Sequence, residues 1–470
     1  MDESLQAPET PHSVDQRSVP AGSAQPCSLP KGRPKKIRPV TPSLAEELAV
    51  TLRHFFPELG AWLGEIPDSR DPDYAVFPLK LLLLQGVVMH LTHSGSRNHF
   101  NDQVRDSVEM AGTLARILDL EVTALPHLDT LEKVLRRLPS TALAEFPAQM
   151  VRRLIRMKAL DDWRVDGRFC VAVDGTGLYS FPERHCEHCI ETCHASGATT
   201  YSHKVLVAFV VSSDGYALPV ACEFIENPGR VYDKQDCELK AFRRVVPTIK
   251  ALFPQTPFTL LLDALYADQT VMKTAQGYGW DFLITFKATD MTALWREAQA
   301  LLALAPAQVV HIRLPGTEGS RVIRWVNDLE YEGLSLTALL QEDRDTAGAV
   351  VRAFAHLTLT RIDANNAAIM ATTARQRWRC ENEGFNVLKN GGFGLEHVYS
   401  RDPVAAKCYV WLMLIAHTLQ QLLVRGRLGA VFRDTFHTAR VYGEKLMQAL
   451  NLKPLPLTLP SAGYIPLRSG

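Results

Sequence analysis

The chain has 470 residues, of which 46% are hydrophobic and 22% charged, and its Lys plus Arg count of 51 equals its Asp plus Glu count. This composition excludes a largely disordered chain, and its length suggests two to four domains. Zero net charge neither excludes nor advertises a nucleic-acid partner, because binding needs only a local patch. Nine cysteines, an odd number, and no recognisable signal peptide point to a reducing, cytoplasmic setting.

Residues 1–41 are rich in Pro, Ser, Gln and charge, which predicts a disordered tail. The tail ends in "KGRPKKIRP", five basic residues without an acid. Lys31, Arg33 and Lys35 form a Gly-Arg-Pro core flanked by lysines. This resembles an AT-hook for the A·T minor groove, with a generic phosphate-binding tail as the alternative. Residues 42–164 read as a helical region for DNA binding or dimerisation. "SLAEELAVTLRHFF" follows a cap signal, "PLKLLLLQGVVMHL" is a buried helix and "TLEKVLRRL" is amphipathic. "MVRRLIRMK" faces either DNA or solvent.

The texture changes near residue 168. "RFCVAVDGT" is a short apolar run ending in Asp174. "KVLVAFVVSSDGYALPVACEFI" reads as two strands joined at Asp214-Gly215. An amphipathic helix over 236–253 follows, then a strand "FTLLLD" ending in Asp263. A helix capped by Asp268 and the strand "WDFLITFK" complete a β-β-β-α-β-α-β order. Right-handed crossovers place the fourth strand beside the first in a mixed α/β sheet, where strand ends line the functional crevice. The run "YVWLMLIAHTLQQLLV" is broken by His417, Gln420 and Gln421, so it reads as a buried helix and not as a membrane span.

"RQRWRCENEGFNVLKNGG" (375–392) reads as one helix. At about 100° per residue, Trp378, Phe385 and Leu388 share an arc that contains Glu381, while Glu383 points away. A carboxylate on an apolar face needs a partner. Glu381 therefore needs a salt bridge, such as one with Arg377, a hydrogen-bond network or a metal ion. With Asp174 and Asp263 it makes a cluster of hard oxygen donors, suited to Mg2+ or Mn2+ and to chemistry at phosphorus.

On "VAVDGTGLYSF", "YSHKVLVAFVV", "KQDCELKAFRRV", "LLLDALYADQTVM" and "RWRCENEGFNVLKNGG", the chain resembles DDE-type transposases of bacterial insertion sequences. The resemblance implies a ribonuclease-H-like core over 165–288 and 362–425, a β-rich insertion over 289–361 and a C-terminal helical tail over 426–470. It implies Asp174, Asp263 and Glu381 as the metal-binding catalytic triad, double-stranded DNA as substrate, a homodimer at synapsis and a nucleoid-associated bacterial protein.

Related hairpin-forming transposases place a Tyr, an Arg, the Glu and a Lys along the last helix. Arg377 and Glu381 match that pattern. Lys389 falls eight residues after Glu381 instead of seven, and Ala374 holds the Tyr position. Arg377, Arg379 and Lys389 are the expected contacts to DNA. In the insertion, "VVHIRL", "RVIRWVND" and "VVRAFAHLTL" read as strands. Trp325 would stack on an unpaired base or pack in the insertion's own core.

Finally, "HCEHCIETCH" (185–194) carries Cys186-x-x-Cys189 at zinc-knuckle spacing. Cys193, His194 or His203 would complete a site. The expected set is Cys186, Cys189, Cys193 and His203 on structural Zn2+, with a polar loop of unpaired thiols as the alternative.

Overall fold

An Asp-Gly turn, with Gly215 at φ +86°, folds residues 199–225 into a hairpin around which the sheet is built. The computed structural model describes residues 43–314, 316, 318–426, 438–456, 458–459 and 467. The basic tail, with Lys31, Arg33 and Lys35, lies outside the described residues.

Helices α1 (Leu44–Phe55), α2 (Leu59–Gly64), α3 (Leu79–Leu91), α4 (Arg97–Val104), α5 (Val108–Ile117), α6 (Leu128–Leu135) and α7 (Phe146–Arg156) come first. They share one hydrophobic core with the sheet that follows. The apolar run of α3 is buried on every side. It needs a small residue where neighbours approach. A Cβ on Gly86 would stand 2.8 Å from the Leu131 side chain and 2.9 Å from that of Leu412.

The sheet begins with β1 (Phe169–Phe181), β2 (Ile190–Cys193), β3 (Thr199–Val211) and β4 (Ala217–Ile225). Then come α8 (Glu238–Leu252), β5 (Phe258–Leu262), α9 (Gln269–Gly277) and β6 (Asp281–Thr285). The order read from the sequence is present, with β2 as an extra strand in the loop after β1. Asp268 caps α9, accepting from the Thr270 and Val271 amides. β5 pairs with β1 in parallel, as right-handed crossovers require, and β6 pairs with β5 in parallel.

The segment after β6 forms α10 (Thr292–Leu304), β7 (Val309–Arg313), β8 (Ser320–Tyr331), β9 (Leu334–Arg344) and β10 (Val350–Thr358). These strands extend the same sheet, in the order β2-β3-β1-β5-β6-β10-β9-β8-β7, with β4 on β3. The junction is narrow: only His356–Thr285 and Leu357–Ile284 pair β10 with β6. Asp281 secures it from inside. Its buried carboxylate accepts from the Thr358 hydroxyl (3.0 Å), the Leu359 amide (2.9 Å) and the Thr360 hydroxyl (2.5 Å).

Helix α11 (Ala367–Arg375), a π turn (Cys380–Phe385) and α12 (Asn386–Asn390) lead into the long α13 (Pro403–Arg425), and α14 (Ala439–Leu452) follows. Two buried polar residues of α13 reach backbone groups. Gln421 accepts from the Ala217 amide (2.9 Å) and donates to the Glu383 carbonyl (3.2 Å), and His417 meets the Ala217 carbonyl (3.1 Å). They tie β4 and the π turn to one helix. Among the described residues no helix is long and apolar enough to cross a membrane.

Candidate active site

The parallel pairing of β1 and β5 sets the site. Ala172 stands opposite Leu261. Carrying that register two residues forward brings Asp174 and Asp263 level on strands about 4.8 Å apart. β1 does not end at Asp174, as the apolar run suggested, but continues to Phe181 against β3. β5 does end there. Asp263 turns the chain into a 3₁₀ turn, its Oδ1 accepting from the Leu265 amide (2.9 Å).

Asp174 accepts from the Gly175 amide (2.9 Å) and from Arg377 Nη1 (3.1 Å). Burial pushes its carboxyl up to about 6. The Arg377 guanidinium works against that shift, and the charges of Glu238 and Asp263 add to it.

Glu238 was not singled out in the sequence, where it reads as an acid in the first turn of an amphipathic helix. It opens α8 and points back at β1. Its Oε1 accepts from the Tyr266 hydroxyl (2.6 Å), and a Cβ on Gly175 would stand 2.5 Å from its Oε2. The only sequence signal was the glycine following Asp174, which leaves room for this approach.

The last helix departs from expectation. The helical spacing assumed over 375–392 is broken by the π turn at Cys380–Phe385. A π turn bonds i to i+5 and so holds one residue more than an α turn, which puts the two flanking segments out of phase. The buried side is Cys380, Gly384, Phe385 and Leu388, whereas Trp378 is 47% exposed and Glu381 is exposed. Glu381 therefore does not lie on an apolar face. It does not pair with Arg377 either, since that guanidinium is committed to Asp174. Glu383, expected to point outward, is half-buried between Arg379 (2.9 Å) and Arg425 (2.5 Å).

The π turn packs on the sheet, with the Phe385 ring edge-on to Phe209. The buried Cys380 thiol shows what surrounds it. Burial first, then the charges of Asp174, Glu381 and Glu238, hold its titration well above the ordinary thiol range, while Arg377 acts the other way. Glu381 is the chain neighbour of Cys380, so its charge there does not locate its carboxylate. The acids acting on Asp174 are Glu238 and Asp263, and Glu381 makes no hydrogen bond or ion pair among the described residues.

The extra residue also accounts for Lys389. Eight residues that include a π turn return to the face that seven reach in a plain α-helix. Lys389 pairs there with Glu396 (3.0 Å).

Residues 170–419 match the family described as the transposase DDE domain. The chain belongs to that family. No curated protein matches the sequence.

Beside the acidic centre of this DDE domain lies an open groove. Arg321, Arg352, Arg375 and Arg379 line it with Phe354 and Trp378. Arg321 and Arg375 hold Asp343 (2.5 and 3.0 Å), and Arg379 donates to the Ser213 carbonyl (2.9 Å), so the groove wall is braced from behind. Of the two aromatics lining this groove, Trp378 is the more exposed. Trp325, expected as a stacking residue, is 5% exposed and part of the core: its place on β8 faces the helices packed on the sheet.

The Cys/His stretch also needs a correction. Cys186, Cys189 and His203 come together, but Cys193 is exposed at the end of β2, with its Sγ beside the Thr199 hydroxyl. Strand alternation directs it away, and His185 takes its place.

The donor set suits a divalent cation at the acidic centre. Asp174, Asp263 and Glu238 offer only carboxylate oxygens, and Asp174 is raised chiefly by burial, against which the Arg377 guanidinium acts.

Proposed function

We propose that this DDE transposase cuts DNA strands at the ends of its element and joins the freed 3′-hydroxyl to target DNA, using Mg2+ or Mn2+. The carrying observation is that Asp174 on β1 and Asp263 just after β5 each stand two residues beyond the last paired residues of these parallel strands, with Arg377 bound to the first. The strand order β4-β3-β1-β5-β6 supports reading residues 165–288 and 362–425 as a ribonuclease-H-like core. Residues 289–361 are then an insertion grown onto that sheet. The helical region 42–164 and the tail 1–41 serve DNA binding and pairing of two copies, with 426–470 closing the chain.

Asp174, Asp263 and Glu381 would hold the cation, with Glu238 as the alternative third acid. The ion would activate the attacking oxygen and stabilise the leaving one. In the first step water attacks phosphorus and loses a proton, the P–O3′ bond breaks, and a 3′-hydroxyl and a 5′-phosphate result. In the second that hydroxyl attacks a target phosphodiester and displaces its 3′-oxygen. Arg377, Arg379 and Lys389 would bind strand phosphates, and Trp378 offers a stacking face to a base. Arg377 would exchange part of its contact with Asp174 for a phosphate as DNA enters.

The test is cleavage and strand transfer on DNA carrying the native ends, comparing wild type with Asp263→Asn, Glu381→Gln, Glu238→Gln and Glu383→Gln. Loss of cutting with binding retained is expected for Asp263→Asn and Glu381→Gln. If Glu238→Gln is dead and Glu381→Gln cuts normally, Glu238 is the third ligand. Cutting without joining would make the protein a metal-dependent nuclease. Binding without any cutting by wild type would make it a catalytically silent DNA-binding relative.

A further inference from the structure

The loop between β1 and β2 and the start of β3 bring four soft donors to one point. The ligand atoms of His185, Cys186, Cys189 and His203 all lie within 4.8 Å of one another. Cys186 Sγ is 3.4 Å from Cys189 Sγ and 3.2 Å from His203 Nε2. Cys189 Sγ is 3.7 Å from His203 Nε2 and 3.7 Å from His185 Nε2. The two imidazoles approach to 3.1 Å, Nε2 to Nε2.

These separations have the size of tetrahedron edges. Zinc bonds of about 2.3 Å to sulfur and about 2.0–2.1 Å to nitrogen give edges of about 3.8 Å between sulfurs, about 3.6 Å between sulfur and nitrogen and about 3.3 Å between nitrogens. The observed values fall within a few tenths of an ångström of them. Two thiolates and two imidazoles fill a tetrahedron without an open position, which is the donor set of a structural zinc site. Hard cations such as Mg2+ are poorly matched to it. Cys189 and His203 are buried, Cys186 is half-buried and His185 is exposed, so the cluster reaches from the interior to the surface.

The surroundings are built to hold these ligands. The Cys189 carbonyl accepts from Asn227 Nδ2 (2.8 Å), and the Asn227 amide donates to the His188 carbonyl (3.0 Å). Asn227 Oδ1 in turn accepts from the Asp236 amide (3.1 Å), and the Asp236 carboxylate is held by Arg244 of α8 (2.7 Å). Two residues later the chain delivers Glu238 to the acidic centre.

We infer that His185, Cys186, Cys189 and His203 bind one Zn2+ per chain, and that this ion fixes the loop that carries the chain into Glu238. On binding, the two thiols lose their protons and each sulfur donates a lone pair to the ion.

The experiment is elemental analysis and native mass spectrometry of the full chain, purified without chelator. One zinc per chain is expected in wild type and in Cys193→Ser, and none in Cys186→Ser or Cys189→Ser. Replacing the ion with Co2+ should add thiolate-to-cobalt charge-transfer absorption in wild type. A second readout needs no variant: Cys186 and Cys189 should resist alkylation in the folded protein, while the exposed Cys193 and Cys237 react, and a mercurial should release zinc to a colorimetric chelator. The inference is overturned if wild type carries no zinc, if Cys186 and Cys189 are recovered as a disulfide, or if Cys193→Ser loses the metal as Cys186→Ser does.

Discussion

Asp174→Asn should make the protein more stable at neutral pH, and the gain should vanish in acid. The wild-type carboxyl is raised from 3.8 to about 6, chiefly by burial. A gap of about two units, at about 1.4 kcal/mol each, means that ionised Asp174 costs the fold up to about 3 kcal/mol. Its side chain is 22% exposed, so little of this is relieved by water.

The folded value lies above the unfolded one. The stabilising contribution is therefore complete below the unfolded value and is lost as pH rises through about 6. Asparagine stays neutral throughout. The stability difference between variant and wild type should stay at its baseline near pH 4, grow between about 4 and 6, and level off at about 2–3 kcal/mol above that.

Urea unfolding of both proteins from about pH 4 to about pH 8 measures this difference, and the groups they share cancel. Divalent ions should be left out of the buffer instead of chelated, so that the His/Cys cluster is undisturbed. Adding Mg2+ or Mn2+ at the alkaline end should then restore wild type and leave the variant unchanged. A difference that is flat with pH, or an asparagine variant less stable at the alkaline end, would refute the claim that Asp174 is a buried charge awaiting a cation.

Two tryptophans should separate binding from folding. Trp378→Ala should weaken DNA binding by about 1–3 kcal/mol and leave the thermal midpoint nearly unchanged. Trp325→Ala should cost about 3–5 kcal/mol of stability, seen in denaturant unfolding. Asp281→Ala strands two threonine hydroxyls and an amide at the β6–β10 junction. It should destabilise by about 2–3 kcal/mol, with hydrogen exchange rising first along β10.

The order of strands and helices over 169–285 was legible because alternation, an Asp-Gly turn and capping aspartates all point the same way. The strand β9 was not. "LSLTALLQEDR" is rich in helix formers, and its pairing with both β8 and β10 overrides that propensity. Topology alone put Asp174 and Asp263 on neighbouring strands, although β1 runs past Asp174 to Phe181. Glu238 could not, because its approach depends on how α8 tilts toward β1.

Helical phase misled at Trp378, Glu381 and Glu383 for one reason, the π turn. Nothing local announces it except Gly384, whose missing Cβ lets the Phe209 ring come to 3.0 Å. The zinc-knuckle spacing picked out two of the four residues that come together, Cys186 and Cys189. Which others join them depends on how the loop after β1 folds, which spacing does not encode.

The seam between β6 and β10 makes the molecule a lever. In the sheet, two residue pairs, the Phe286–Ala355 backbone bond and the Asp281 cluster join the outer four strands to the inner ones, while Arg375 on Asp343 braces them from α11, and β6 lies directly against the strand that ends before Asp263. One path for a load applied to the outer strands runs across the ladder: β10, then β6, then the strand that leads into Asp263. Torque from a bound duplex would reach that aspartate along it, and stiffness at Asp281 would set how much of it arrives.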